Sequence, residues 1–500
     1  MPARLTFDLG GMRSRTARRR DAGSPLRILV LGDFGGTRNA TSADFATRPV
    51  PSVDIDTLDA VLERLAPSLQ FESTDGAAAQ TIVFKTLDDF HPDALFRRLP
   101  LFQRLRDWRA RLRDARQFDA AAAELRAEGL AQPAVASAPT AAPPESDSGT
   151  LERLLGRAAA QKAPAPAGDT IDALVRQIVA PHIAADRTPF QAQYLAALDA
   201  VAATQMRRLL RDPAFRALEM AWRGLHWLTT QLELGAELQL HLLDATRAEL
   251  GADFAAAQGE ATQSALLHRL RQTGTDAPDG APWSLVVGLM EFGAGADDLA
   301  LLADLGTVCA ATGASFVGAA AASFFGCPEP AALPDPARWS LPAESARGVA
   351  ALRREAVAAS IGLAAPRLLL RLPYGAATDP IESFVFEEVD AGTPVHDALA
   401  WANGALAVAL RVGQTFGEGG WDALAGAAGD VAELPAYVYS HDGEKHLQPC
   451  AEAFVGERGG EVLRALGLIP LLSHRQRAAV RVLALQSLAE PAQLLDIGAG

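Results

Sequence analysis

Short apolar runs separated by longer helical stripes are the feature of this chain that most narrows its possible folds. Leu26 to Leu31 reads LRILVL and closes on Gly32-Asp33-Phe34-Gly35-Gly36, too short for a helix and bounded by turn residues. Further strand candidates stand at Leu238 to Leu243, Trp283 to Gly288, Ser315 to Val317 and Arg367 to Arg371. Helical patterns at Ala296 to Ala311 and Asp397 to Thr415 lie between or after them. Strands of this kind, alternating with helices, bury themselves by forming a sheet with helices packed on it. The expected class is therefore α/β with mixed α+β elements.

The N-terminal segment adds a helix with Leu58, Val61, Leu62 and Leu65 at helical spacing, a strand at Thr81 to Lys85, and a long stripe of Leu95, Leu99, Phe102, Leu105, Trp108 and Leu112. Pro100 is expected to kink that stripe or split it in two. Between 131 and 169 the composition turns to Ala, Pro, Ser and Gly, which cannot bury enough apolar surface to order itself. Within that tether, Thr150 to Ala160 carries Leu151, Leu154 and Leu155 on one face of a short helix, either a docking peptide or a weak surface helix. Helices follow at Thr170 to Val179 and Pro189 to Leu210. Asp212-Pro213 then supplies an N-cap and a first-turn proline for a helix whose stripe is Phe215, Leu218, Trp222, Leu225 and Leu228. The division read from this pattern is 1–130, a linker at 131–169 with a helix at 150–160, a large domain at 170–472, and a helical tail at 473–500. In the tail, Arg475, Arg477 and Arg481 interleave with Val480, Leu483, Leu485 and Leu488 before Pro491.

With 46 basic against 60 acidic residues the formal charge is −14, which argues against a nucleic-acid partner. Cys309, Cys327 and Cys450 are too far apart for a Cys-x-x-Cys pair or a disulfide scaffold, and no apolar signal core follows the basic N-terminus. Leu305 to Pro328 is uncharged but rich in Ala, Gly, Ser and Thr. It reads as a helix end, a turn at Gly313 and a core strand, with no membrane insertion. A cytoplasmic protein is expected.

Chemistry has few candidates. Asp88, Asp89, His91 and Asp93 are dense enough for a metal or acid/base site, yet acids around Pro92 suit a helix start better. The Gly32-x-x-Gly35-Gly36 loop lacks the Lys-Ser/Thr of a phosphate-binding loop, and no Gly-x-Ser-x-Gly elbow occurs. No catalytic residue, cofactor or metal is expected. Trp222, Trp227, Trp401 and Trp421 read as core or interface anchors, and Glu219 with Arg223, one helical turn apart, as a partly buried pair.

The segment Phe215-Arg216-Ala217-Leu218-Glu219-Met220-Ala221-Trp222-Arg223-Gly224-Leu225 resembles the F-x-x-L-E-x-x-W-R-G-L helix of the large contractile-sheath subunit of type VI secretion systems. Pro366-Arg367-Leu368-Leu369-Leu370-Arg371-Leu372-Pro373-Tyr374-Gly375 is similar to its P-R-F-L-x-R-x-P-Y-G block. Phe384 to Glu388 is similar to its F-x-F-E-E, and Trp401, Asn403, Phe416, Gly420-Trp421, Leu434-Pro435 and Gly467 to Leu471 follow in order. Leu29 to Phe34 and Phe84 to Asp93 resemble the small subunit. The chain thus resembles a small and a large subunit fused through the Ala/Pro tether.

The resemblance implies a non-enzymatic structural protein of the contractile sheath that meets other sheath subunits, surrounds or engages the inner tube protein, and helps power effector delivery. It also implies baseplate contacts and a recycling AAA+ unfoldase that binds a helix where Leu151, Leu154 and Leu155 fall. Phe215, Leu218, Glu219, Trp222, Arg223, Pro366, Arg367, Arg371, Tyr374, Trp401 and Trp421 become the expected structural or interface positions. Family large subunits exchange β-strands through a region beyond the Gly467 to Leu471 segment. Ser473 to Gly500, read as a helix, is expected not to supply those strands, so the chain is not expected to build long sheaths by itself. The alternatives are a sheath-derived accessory that caps, nucleates or regulates assembly, and an α/β enzyme that reuses the fold.

Overall fold

The computed structural model describes residues 23–36, 45–71, 80–129, 188–278, 280–390, 392–441 and 443–497. The chain divides into two compact units, Met1–Leu99 with Met206–Gly500, and Pro100–Gln205.

In the first unit, β1 (Leu26–Gly32) is buried at every position, as its apolar run from Ile28 to Leu31 requires, and Arg27 is accommodated by donating to the carbonyls of Ala281 and Thr273. After it come α1 (Leu58–Leu65), the antiparallel pair β2 (Ser68–Phe71) and β3 (Gln80–Val83), and α2 (Pro92–Arg98). Pro100 ends that stretch, and the stripe resumes as α3 (Gln103–Arg113) in the second unit, the split its proline foretells. There α4 (Phe118–Ala127) and most of α5 (Thr188–Leu210) cover Leu105, Trp108 and Leu112. Phe118 and Tyr194 meet edge to face at 5.9 Å, Trp108 Nε1 donates to Glu124 Oε2 at 3.2 Å, and Arg109 pairs with Asp199.

Back in the first unit, α6 (Pro213–Gln231) starts where Asp212 accepts from the amides of Ala214 and Phe215, satisfying two orphan donors of the first turn. The core then alternates as read: β4 (Leu238–Asp244), α7 (Arg247–Ala256), α8 (Ala265–Thr273), β5 (Leu285–Phe292), α9 (Ala296–Thr312), β6 (Ser315–Ala320), α10 (Ala343–Arg354) and β7 (Ile361–Ala365). Gly313 closes α9 in the left-handed region at φ 74°, so the uncharged stretch is a helix end, turn and strand. Among the described residues no helix is long and apolar enough to cross a membrane. The short pair β8 (Leu368–Leu369) and β9 (Trp401–Ala402) precedes α11 (Ala405–Ala423). The remainder is β10 (Gly429–Val431), the hairpin β11 (Tyr437–His441) and β12 (Glu444–Gln448), α12 (Glu457–Ala465), β13 (Ile469–Ser473) and β14 (Val480–Val482).

Eight strands form one sheet in the order β10-β14-β13-β7-β6-β5-β1-β4, parallel from β4 to β13 and antiparallel at β14 and β10. On one face Leu29, Leu31, Leu243 and Val286 pack with Leu250, Leu267, Leu302, Leu305, Leu352 and Leu463 from five helices. By the two-residue period of a strand, Ile28 and Val30 point to the other face, where α11 runs across the sheet beside α6.

Those two helices approach closely at Gly224 and Gly413. A Cβ on Gly224 would lie 2.5 Å from Leu406 Cδ1, and one on Gly413 would lie 2.6 Å from Leu232 Cδ2. Each helix thus seats a leucine of the other chain segment on its glycine. Gly224→Ala is expected to destabilise by about 1–3 kcal/mol through overpacking. Leu406→Ala in the same chain should recover part of that loss, as read by denaturant unfolding.

Four expectations differ from the structure. Arg367 to Arg371 does not join the main sheet: Pro366 has no N–H for a ladder, both arginines turn into ion pairs, and Ile361–Ala365 is the strand instead. Asp397 to Thr415 is not continuous, because Asn403 Oδ1 accepts from the Ala405 amide and starts a new helix there. The tail is not helical: Val480 and Val482 are buried on either side of exposed Arg481, a two-residue period, and β14 pairs with both β13 and β10. The compact units also depart from the linker boundaries, because β1 is hydrogen-bonded between β4 and β5 while Pro100–Gln205 groups apart. The 150–160 helix and the Thr170 to Val179 helix lie outside the described residues.

Candidate functional site

Helix α6 carries Phe215, Leu218, Glu219, Trp222 and Leu225 at steps of three and four, so all five lie on one face, and all are buried. Each of its large residues engages a different part of the first unit. Phe215 enters a cluster with Phe84 and Phe90, which stack on each other at 4.1 Å, at centroid distances of 6.1 and 5.8 Å. Leu218 packs beside it in the core at 2% exposure.

Trp222 is fully buried. Its ring meets Phe34 edge to face at 5.2 Å and its Nε1 donates to the Phe34 carbonyl at 3.1 Å. The glycine loop after β1 is held open for this contact by Asp244, whose Oδ1 accepts from the amides of Phe34 and Gly35 at 2.8 and 3.0 Å. An internal carboxylate thus occupies the amides a phosphate would need, which explains the loop without a nucleotide.

Glu219 begins a buried ion network. Its Oε1 accepts from Arg223 Nε at 2.8 Å and from Arg371 Nε at 2.8 Å. Arg371 also donates to both oxygens of Glu388, at 2.7 and 3.0 Å, so one guanidinium bridges two fully buried carboxylates. Glu388 Oε2 further accepts from the Tyr374 amide at 2.9 Å, and Tyr374 Oη accepts from Arg223 Nη2 at 2.8 Å. Burial pushes the Glu219 carboxyl up, but the two arginines more than offset it and hold its pKa below the ordinary value. Burial works against the Arg371 charge as well, and Glu219 and Glu388 overcome it so that its pKa is raised. Two carboxylates against two guanidinium groups leave the network formally neutral, with each charge hydrogen-bonded.

Arg367 anchors a second network. Its guanidinium pairs with Glu452, which also accepts from His396 Nε2 at 2.7 Å, and the His396 ring stacks on Trp401 at 5.4 Å. Burial pushes Glu452 up, yet the bonds from His396 and Arg367 bring its pKa down to about 2. Burial lowers the His396 pKa, and its bonds to Glu452 and Asp397 reverse this and raise it above 6.5. The folded state therefore holds this proton more tightly than the unfolded chain, so the stabilisation is whole below pH 6.5 and is lost as pH rises through the folded pKa. His396→Gln is expected to flatten that alkaline-side decline, as measured by urea unfolding across the neutral range.

The remaining residues fall as follows. Pro366 separates β7 from β8, leaving Arg367 free to turn toward Glu452. Trp421 is half-buried against Phe416 and donates to the Ser24 carbonyl at 2.9 Å. Leu151, Leu154 and Leu155 lie outside the described residues. The acidic run is structural: His91 Nδ1 accepts from the Asp93 amide, Asp89 accepts from the Lys85 amide, and Asp93 accepts from the amides of Glu382 and Ser383. Among the described residues no group of three His, Cys, Asp or Glu side chains could hold a metal ion.

Sequence reading missed Glu388, Glu452, Asp244 and His396. Only Glu388 left a signal: Phe384, Phe386 and Glu388 share a two-residue period, which turns all three inward and Val385 and Glu387 outward. These contacts tie residues from both ends of the sequence into one unit, with the Phe84 to Asp93 stretch clamped by Phe215 on one side and by the Glu382 and Ser383 amides on the other.

A family model described as "EvpB/VC_A0108, tail sheath N-terminal domain" matches residues 192–489. The chain belongs to this VipB tail-sheath family. A second model, "Type VI secretion system, VipA, VC_A0107 or Hcp2", matches residues 16–128, so VipA-type and VipB-type segments are fused in one chain. The chain is also 31% identical over 309 residues to the type VI secretion system sheath protein TssC1 of Pseudomonas aeruginosa, an alignment that covers 60% of this chain and 62% of that protein. It therefore spans less than two thirds of that relative's length. The VipB-type match runs through β14, so the residues after Leu472 continue the family domain.

Proposed function

We propose that this chain is a structural component of a type VI secretion contractile sheath, a fused small-plus-large subunit that acts without catalysis in the cytoplasm. The observation that carries this reading is the interlocking of the two sheath-type segments: β1 of the VipA-type segment lies between β4 and β5 of the VipB-type segment, in register from Leu26 with Leu238 to Gly32 with Asp244. A strand paired on both sides cannot leave without breaking two ladders, so the first strand of the VipA-type segment is locked into the VipB-type sheet as one mechanical block. The buried ion network around Arg371 suits such a block, since it ties α6 to the 371–388 segment through paired, hydrogen-bonded charges.

In this role the chain packs with other sheath subunits around the inner tube protein, meets baseplate components at the end of the assembly, and presents the Leu151, Leu154 and Leu155 face to a recycling unfoldase. Negative-stain electron microscopy of the purified chain with the inner tube protein of the same secretion system tests the reading. Ordered layers of protein wrapped around tubes are expected. Bare tubes beside monomeric chain, at every ratio tried, would overturn it.

A further inference from the structure

The two edges of the eight-stranded sheet differ in charge. At one edge β4 is covered by Pro51 to Val53, through bonds from the Val53 amide to the Leu240 carbonyl and from the Leu242 amide to the Pro51 carbonyl. The chain then continues directly into Asp54, Asp56, Asp59 and Glu63, countered within the segment by Arg64, and exposed Ile55 stands among them. Asp54 spends its carboxylate on its own turn, at Thr57, whereas Asp56, Asp59 and Glu63 are exposed.

At the opposite edge β10 pairs with β14 alone among the described strands. The loop into β14 and the strand itself carry His474, Arg475, Arg477 and Arg481, with no acid between Ser473 and Val482. Asp430 of β10 is shared by His474, Arg477 and Arg481 at 3.0, 2.7 and 4.0 Å. Beneath β10, Arg411 lies against Gly429 and bonds Gln414 and Thr415, with no carboxylate partner among the described residues. A surplus of cations at one edge of a chain with net charge −14 is the reverse of the molecule's average, and the surplus of acids sits at the far edge of the same sheet.

We propose that these edges are complementary faces through which copies of this chain associate head to tail, the basic β10/β14 edge of one against the acidic 54–63 edge of the next. The occupant of each edge is a second copy, because one chain carries both charges on opposite sides and cannot pair them internally. Such a contact is heterologous: it leaves one edge free at each end and propagates, which a two-fold dimer contact does not. It rests on the sheath reading, in which copies meet side by side, and names the surfaces by which they do so. Salt weakens it, since exposed charges lose their mutual attraction beyond a Debye length of about 10 Å at 0.1 M.

The test uses the full chain and two charge-reversed variants, Arg475→Glu/Arg481→Glu and Asp56→Lys/Glu63→Lys. The weight-average mass is followed by light scattering at low and high ionic strength, and thermal melts check that both variants fold. Wild-type chain is expected to associate at low salt, and each variant alone to lose about tenfold or more in apparent affinity. Mixing the two variants should restore association, because one then has two acidic edges and the other two basic ones. Arg475→Gln/Arg481→Gln, which removes charge without adding any, should fall between wild type and the reversed form. Variants that associate as wild type does, or a mixture that stays monomeric, would overturn the edge pairing. If the variants still wrap inner tubes as wild type does, the sheath reading stands and the edge proposal falls.

Discussion

Arg371→Ala is expected to cost about 3–5 kcal/mol of folding stability, because it leaves Glu219 and Glu388 facing each other's surroundings with no shared cation. Both carboxylates are 0% exposed, so neither can turn to water for compensation. Arg223 still reaches Glu219, but Glu388 is left with the Tyr374 amide as its donor among the described residues. The variant should unfold at markedly lower denaturant, and its loss should shrink when Glu388→Gln is added, since an amide tolerates the missing charge better than a carboxylate does. A double-mutant cycle on Arg371 and Glu388 reads that coupling directly. The same network sets an acid limit: with the Glu219 pKa held below 4.5, its contribution is whole above that pH and is lost as pH falls through the folded value. An Arg371→Ala melting profile identical to wild type would show that the two acids have other partners.

Trp222→Ala should be of similar size, about 3–5 kcal/mol, for a different reason. Truncation leaves a cavity between α6 and the loop after β1, removes the edge-to-face contact with Phe34, and orphans the Phe34 carbonyl. Trp222→Phe separates these effects, keeping much of the ring volume while losing the N–H, and should cost less. Thermal unfolding monitored by circular dichroism checks both, and a melt unchanged within a degree or two would place the indole outside the core.

The strand and helix alternation from β4 to β6 was legible because short apolar-rich runs alternate with helical stripes, and that pattern needs only local sequence. The start of α6 was equally local: Asp212 and Pro213 act within one turn. Reading failed where a distant partner decided the conformation. Arg367 to Arg371 has the apolar content of a sheet strand, yet its two arginines are drawn to Glu452 and Glu219, residues far away along the chain. The tail has enough leucine spacing to suggest a helix, and the open edge of β13 made it a strand instead.

The sequence by itself determined the α/β class, the cap and buried face of α6, the uncharged turn at Gly313, and, through its spaced signature residues, the sheath-type resemblance of both segments. Tertiary structure alone decided that β1 threads between β4 and β5, that Asp244 accepts from the amides of the glycine loop, and that Arg371 joins Glu219 to Glu388. The physical reason is range. Periodicity, capping and turn chemistry are settled within a few residues, whereas strand order and buried charge pairing depend on which distant group arrives to satisfy each hydrogen bond.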